Sequence, residues 1–435
     1  MLRSHAISST RPSGETRLTD RSDAPLSTQR PEPAGQYALL GASVLLAMGL
    51  WFSASAVVPQ LASEWSLAAN QLGWLTASVQ LGFVVGALAS AFTGLADRIP
   101  IHWLIAVSAA LAALANAAIA LPATGFEGTL ILRGLTGMLL AGVYPPGMKL
   151  VASWTRRRRG LYVGMLIGAL TVGSSMPHLL NAAFAGAGDS APAAWRVIVL
   201  GASGLALVGS ALALPLRPGP FAAPPGSRSF RWREVPALIG ARDVRLANLG
   251  YLGHMWELYA MWTWVPLYLS LSFASGGLPE GAARWVAFAT IAAGAPACVL
   301  AGWFADRLGR TAVTAIAMGV SGVSALAAAA SFAHPVLLSA ICLLWGAAVI
   351  ADSAQFSAAV TELTPPHRIG TALTLQTALG FLLTMVTVQL LPVVAERASW
   401  PVAMAVLAIG PAVGAAAMLR LRALPQATAM AGGRR

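Results

Sequence analysis

The chain has 435 residues, of which 57% are hydrophobic and 10% charged, and its mean hydropathy is +0.69. A soluble domain averages about 25% charged residues and keeps roughly a quarter of its unfolded surface in water, so this composition excludes a water-soluble globule. Lys and Arg outnumber Asp and Glu by 28 to 16, but the excess sits in short segments between apolar runs, not on one soluble face, which argues against a nucleic-acid partner.

Residues 1–36 mix Ser, Thr, Pro and Arg with acids and show no apolar period, so they read as a disordered cytoplasmic tail. Apolar spans follow at 37–59, 71–93, 102–122, 128–153, 160–184 and 194–216, the first bundle (37–216). A linker over 217–245 carries six Arg and several Pro and reads as a flexible cytoplasmic connection. The second bundle (246–420) has spans at 246–271, 283–303, 311–332, 335–360, 370–394 and 399–420, and 421–435 is a short cytoplasmic tail. Twelve spans of about 21 residues account for the apolar total. The predicted fold class is therefore an all-α polytopic membrane protein with twelve transmembrane helices in two six-helix bundles.

Orientation follows from the basic residues. Arg196, Arg284 and Arg397 fall in outer loops and Arg133 inside a span; the other 24 of the 28 lie on one side if both termini are cytoplasmic. That places a multi-pass chain in the inner (plasma) membrane with the lipid bilayer as its environment. The two cysteines, Cys298 and Cys342, lie inside spans, and the six histidines are scattered, so no disulfide, metal or cofactor is expected. No Walker motif is present, and no catalytic cluster lies at one depth, so the chain is not expected to be an enzyme.

Two loops repeat. Gly94-Leu95-Ala96-Asp97-Arg98 follows the second span, and Gly302-Trp303-Phe304-Ala305-Asp306-Arg307-Leu308-Gly309-Arg310 follows the eighth. Arg133-Gly134-Leu135-Thr136-Gly137 opens the fourth. On these residues the sequence resembles the major facilitator superfamily of secondary transporters: G-x-L-A-D-R-x-G-R is nearly complete in the second half and eroded in the first, and R-x-x-x-G lies on the fourth span. The fifth span lacks the G-P-x-x-G-G pattern associated with drug/proton antiporters. The resemblance implies that the two loops latch the cytoplasmic side, each against the opposite half. Asp306 would meet the start of the fifth span near Gly160, or pair with Arg310; Asp97 would meet the start of the eleventh near Arg368 and Gly370. The alternative is a pair of solvated loops worth about 0–1 kcal/mol.

Polar groups within spans carry the functional reading, because a charge at the bilayer centre costs about 2.5–3.5 kcal/mol or more and needs a cavity or a partner. The third, sixth, ninth and twelfth spans are close to featureless. Glu257 lies halfway along the seventh, with His254 three residues earlier on the same helix face, so the pair can exchange a proton or simply pin the helix by a Glu–His hydrogen bond. Arg133 offers a fork of donors for a carboxylate, phosphate or small oxyanion, or else bonds neighbouring backbone. His178 has a similar depth. Tyr144 precedes Pro145 and Pro146, which remove backbone donors and kink the fourth span. Asp352 and Gln355 in the tenth are a second protonation site or partners for a basic residue at the gate. Trp51, Tyr259 and Trp262 wall a cavity, while Trp264 and Trp400 fit an interfacial belt.

Together these residues point to a secondary transporter, functional as a monomer, that moves a small hydrophilic solute, a small anion or organic acid, with protons. The Trp256-Glu257-Leu258-Tyr259 stretch also resembles members of the family grouped with nitrate and cyanate permeases. The alternative is an exporter of amphipathic drugs from the same superfamily.

Overall fold

All regular structure is helical among the residues that the computed structural model describes, 34–121, 124–155, 159–184, 194–222 and 231–434. Most of the N-terminal tail, Arg156 to Arg158 and the middle of the linker lie outside them.

The first span is broken into α1 (Ala34–Met48) and α2 (Val58–Trp65), joined by turns and a 3-10 turn at Ser55–Val57. A short α3 (Ala69–Leu72) leads into α4 (Trp74–Thr93), the second span, and α5 (Leu95–Arg98) turns the chain into α6 (Ile101–Ala118), the third. The fourth is α7 (Gly125–Leu140) and α8 (Tyr144–Trp154), the fifth α9 (Arg159–Phe184), the sixth α10 (Ala194–Ala213). The linker contains α11 (Val235–Gly240) before the 34-residue α12 (Arg242–Ser275), the seventh span. The eighth is α13 (Glu280–Ala292) and α14 (Gly294–Leu308), and the ninth is α15 (Arg310–Ala330). Then come α16 (Pro335–Ala351) and α17 (Ser353–Leu363) as the tenth, α18 (Ile369–Arg397) as the eleventh, and α19 (Trp400–Val406) with α20 (Ile409–Arg422) as the twelfth.

Ten of these segments are long and apolar enough to cross a membrane. The first is interrupted, and the seventh holds His254, Glu257 and several Trp and Tyr that lower its hydropathy. At a rise of about 1.5 Å per residue, α12 still exceeds the roughly 30 Å hydrocarbon thickness.

The breaks have physical causes. The fourth span stops at Leu140 and restarts with Pro145 and Pro146 in the first turn of α8, where the missing N–H groups cost nothing. Elsewhere the helices approach closely through small residues: an added Cβ on Gly82 or Gly137 would overlap the backbone of the facing helix at Gly134 or Val79, which locks α4 to α7. The halves meet along α4 against α18 and along α9 against α13 and α14.

The linker is not flexible where the structure describes it. The backbone N–H of Arg231 donates to Thr371, Glu234 pairs with Arg368 at 2.5 Å, and Trp232 stacks on Phe92 with ring centroids 5.6 Å apart. It therefore touches both α4 and the start of α18. The ninth span is not featureless either, because Ser321 is buried against Glu257.

Candidate functional site

The break in the first span turns Leu50 and Trp51 carbonyls out of helical bonding, and in a membrane interior such acceptors need protein donors. Arg133 supplies them. Its Nη1 donates to Leu50 O at 2.7 Å and reaches Ser53 Oγ at 3.2 Å, Nη2 donates to Trp51 O, and Nε donates to Leu75 O at 3.0 Å. The side chain is completely buried. Ser53 extends the web to Asn116 Oδ1 at 2.6 Å, and the Asn116 amide donates to Ser203 and to Val199 O. Of the two readings of Arg133, the structure has the backbone-bonded one and not a fork open to a substrate anion: its donors go to the Leu50, Trp51 and Leu75 carbonyls and to Ser53, whose own hydroxyl also donates to Leu50 O at 3.0 Å.

The same break delivers Trp51 and Phe52 to the seam between the halves. Trp51 packs on Phe83 (centroids 5.0 Å), Phe381 (5.4 Å) and Tyr259 (5.6 Å), and Phe83 lies 4.7 Å from Phe381. Phe52 stacks on Tyr259 at 6.1 Å and meets Trp262 at 5.7 Å and His178 at 6.5 Å. Three segments of the first half (the break in the first span, α4 and α9) and two helices of the second (α12 and α18) contribute rings, so the cluster fills the seam. Buried polar atoms around it have no protein partner: the indole N–H of Trp51 and of Trp262, His178 Nε2, and the side-chain amide of Gln80, three residues before Phe83. Orphaned polar groups are costly unless they serve a ligand, water or strain. Tyr144 stays half-buried at the start of α8. Trp264 is no interfacial anchor: it is buried and donates to Val388 O at 3.0 Å.

In the second half, α12 presents two ionisable groups to different neighbours. Glu257, 2% exposed, accepts from Ser321 Oγ at 2.7 Å and from Trp345 Nε1 at 2.8 Å. His254 Nδ1 lies 2.8 Å from Asp352 Oδ1. The expected Glu257–His254 hydrogen bond is replaced by these contacts, because residues three apart on a helix are turned by about 60° and α15 and α16 meet one while the start of α17 meets the other. Asp352 likewise pairs with a histidine, not with a basic residue at the gate. Gln355 takes that role, its Oε1 accepting from Arg310 Nη1 at 2.8 Å.

The two repeated loops lie at the face where the charged residues gather. Arg310 grips Glu362 with two bonds, Nε to Oε2 at 2.7 Å and Nη2 to Oε1 at 2.6 Å. Asp306 does not take Arg310 as its direct partner; its carboxylate sits over the start of α9, against Gly160. An added Cβ at Gly160 would come 2.6 Å from Asp306 Oδ1, and one at Gly302 would come 2.4 Å from Gly160 O, so only glycine admits this approach. Gly309 turns the loop at φ +94°, a conformation that disfavours side chains. Arg307 covers the Trp303 ring at 3.3 Å. In the first half Asp97 pairs with Lys149 of α8, inside its own half rather than across to α18, while Arg98 is exposed. A cavity of about 310 Å³ opens between the halves here, lined by Asp97, Lys149, Gly160, Arg310, Glu362 and Thr377 among others. It ends one turn short of Phe83 and Phe381.

Phe83, Phe381, Ser321, Trp345 and Glu362 carry no signal in the sequence: each is an ordinary residue until another helix arrives. Among the described residues no group of His, Cys, Asp and Glu has a metal-binding arrangement.

No curated protein matches the chain in sequence. Solved structures match its fold. A D-xylose–proton symporter superposes with a TM-score of 0.70 at 17% identity, covering 92% of this chain and 99% of that one. The xylose transporter XylE from E. coli, in a partially occluded inward-open conformation, gives 0.68 at 15% identity over 89% and 98%. A bacterial homologue of the human lysosomal transporter Spinster, inward-facing and unoccupied, gives 0.69 at 15% identity over 91% and 98%. The model of the Major Facilitator Superfamily matches residues 39–278. A polytopic chain with paired gate loops at the seam of its halves, matched by that model over more than half its length, is a membrane transporter and not an enzyme: it belongs to the major facilitator superfamily.

Proposed function

We propose that this transporter moves a small solute together with protons by alternating access, with Glu257 as the proton carrier. The observation that carries the reading is the setting of Glu257. It is buried on a seam-lining helix and, among the described residues, is held by a hydroxyl and an indole N–H and has no ion-pair partner. Neutral donors of this kind serve a carboxylate and release a protonated carboxyl at little cost, whereas a fixed cation would hold it charged. His254 and Asp352 form a second buried pair on the same half.

The solute we assign is a small organic acid or other acceptor-rich molecule, bound near the aromatic cluster, where Trp51 Nε1, Trp262 Nε1, the Gln80 amide and His178 Nε2 are buried without partners. These are mostly donors, so they favour acceptor-bearing ligands. Arg133, the cation that first suggested an anion, is engaged by the Leu50, Trp51 and Leu75 carbonyls. The aromatic walls favour a second reading, efflux of amphipathic drugs, which dye efflux from expressing cells would reveal. The two halves correspond to 37–216 and 246–420, and the gate face, which gathers the basic residues, is the cytoplasmic one of the inner membrane.

The test uses proteoliposomes and a panel of carboxylates, nitrate and sugars at two pH values. The expected result is uptake of an acid driven by a pH gradient, lost in Glu257→Gln while counterflow persists. Gradient-driven uptake that survives in Glu257→Gln removes Glu257 from the mechanism.

A further inference from the structure

The last residues of the chain are not a loose tail. After α20 the backbone forms 3-10 turns at Pro425–Ala429 and Ala431–Gly433, and Ala427 and Met430 are completely buried. The first turn packs on α17 and the second on α14, so the segment crosses from the end of the tenth span to the end of the eighth. Its polar contacts fall on the gate. The backbone N–H of Ala431 donates to Glu362 Oε2 at 3.0 Å, the same oxygen that Arg310 Nε holds at 2.7 Å. Arg434 donates through Nη1 to the carbonyl of Asp306. Arg422, at the root of the segment, reaches Thr311 Oγ1 at 3.3 Å beside Arg310.

Ala431 adopts φ +47°, in the left-handed region that favours glycine. An alanine held there is bent by its surroundings, and the bend points its N–H at Glu362. Two buried anchors, one aimed N–H and one arginine therefore tie the chain end to both acidic positions of the gate.

We propose that the C-terminal segment, Pro425 to Arg434, is a clasp that holds the gate of the second half in its latched arrangement. Glu362 positions Arg310, and the tail positions Glu362. Asp306 is met from two sides, by the start of α9 at Gly160 against its carboxylate and by Arg434 at its carbonyl. Undocking the segment removes a charge-assisted hydrogen bond and an anchor in one step, loosens Asp306 from α9 and shifts the population toward wider opening at this face. A factor that binds or modifies the chain end would thereby set the gate without touching the solute path.

The experiment reads two faces at once. Cys298 and Cys342 are buried, so a single added cysteine reports by its rate of maleimide labelling. Ser357→Cys lies in the cavity at the gate face. Gln389→Cys lies at the opposite end of the seam, against Gly73. In the full-length background, Ala431→Pro removes the donor and Arg434→Ala the second tie; a chain ending at Leu424 removes the whole clasp. The expected result is a rise of about three- to tenfold in labelling at Ser357→Cys and a fall at Gln389→Cys, largest in the truncation. Unchanged rates at both reporters in Ala431→Pro and Arg434→Ala overturn the proposal, whether or not the truncated chain folds. A rise at Ser357→Cys with no fall at Gln389→Cys also overturns it, because local fraying then explains the result without a change in the gate.

Discussion

Arg133 and Glu257 are both ionisable, both deep in a span and both almost fully buried, at 0% and 2% exposure, yet their surroundings are opposite. Arg133 is engaged by three main-chain carbonyls and a serine hydroxyl, at the break in the first span and at the start of α4. Glu257 has two side-chain donors on two other helices, α15 and α16, and no main-chain donor among the described residues. The comparison separates architecture from chemistry: a buried charge wholly engaged by backbone is part of the scaffold, and one held by side chains that can re-pair is free to change state.

The largest effect expected is therefore at Arg133. Arg133→Gln strands carbonyls at the helix break, each costing about 1–3 kcal/mol, and should lower the thermal midpoint in detergent sharply and abolish membrane yield. A variant that keeps its midpoint but loses uptake would reverse the assignment and make Arg133 part of the solute path. Glu257→Gln, by contrast, should keep its midpoint and lose only coupling.

Next in size is Gly160→Ala. The new methyl group overlaps the Asp306 carboxylate and displaces it from the start of α9, losing an interaction of about 0.3–1 kcal/mol with the helix end. Faster maleimide labelling of Ser357→Cys is the measurement; an unchanged rate would mean that the latch holds elsewhere. The smallest effect is at Ser321→Ala, which takes one of two donors from Glu257. Gradient-driven uptake should fall by about tenfold or less, with little change in midpoint. A loss as complete as that of Glu257→Gln would make Ser321 a member of the proton path.

Much of the scaffold was legible. Long apolar runs have one stable fate in a bilayer, and proline pairs break helices wherever they occur, so the spans and the interruption before Tyr144 could be read locally. The loop motif pointed to Asp306 and Gly160 because it fixes a turn and a partner type together. Other positions went astray for a common reason. Asp97 found Lys149, Asp352 found His254, and Arg310 found Glu362, each through contacts between residues 45 or more positions apart. Nor did the composition of residues 421–435 distinguish a free tail from a docked one.

From the sequence alone came the cost: which side chains are too expensive to leave bare in lipid, and hence that partners must exist. Only the tertiary structure decided who those partners are, since helices turned by a few tens of degrees present the same residues to different neighbours. That choice turned Arg133 into a brace, left Glu257 among neutral donors, and laid the chain end across the gate.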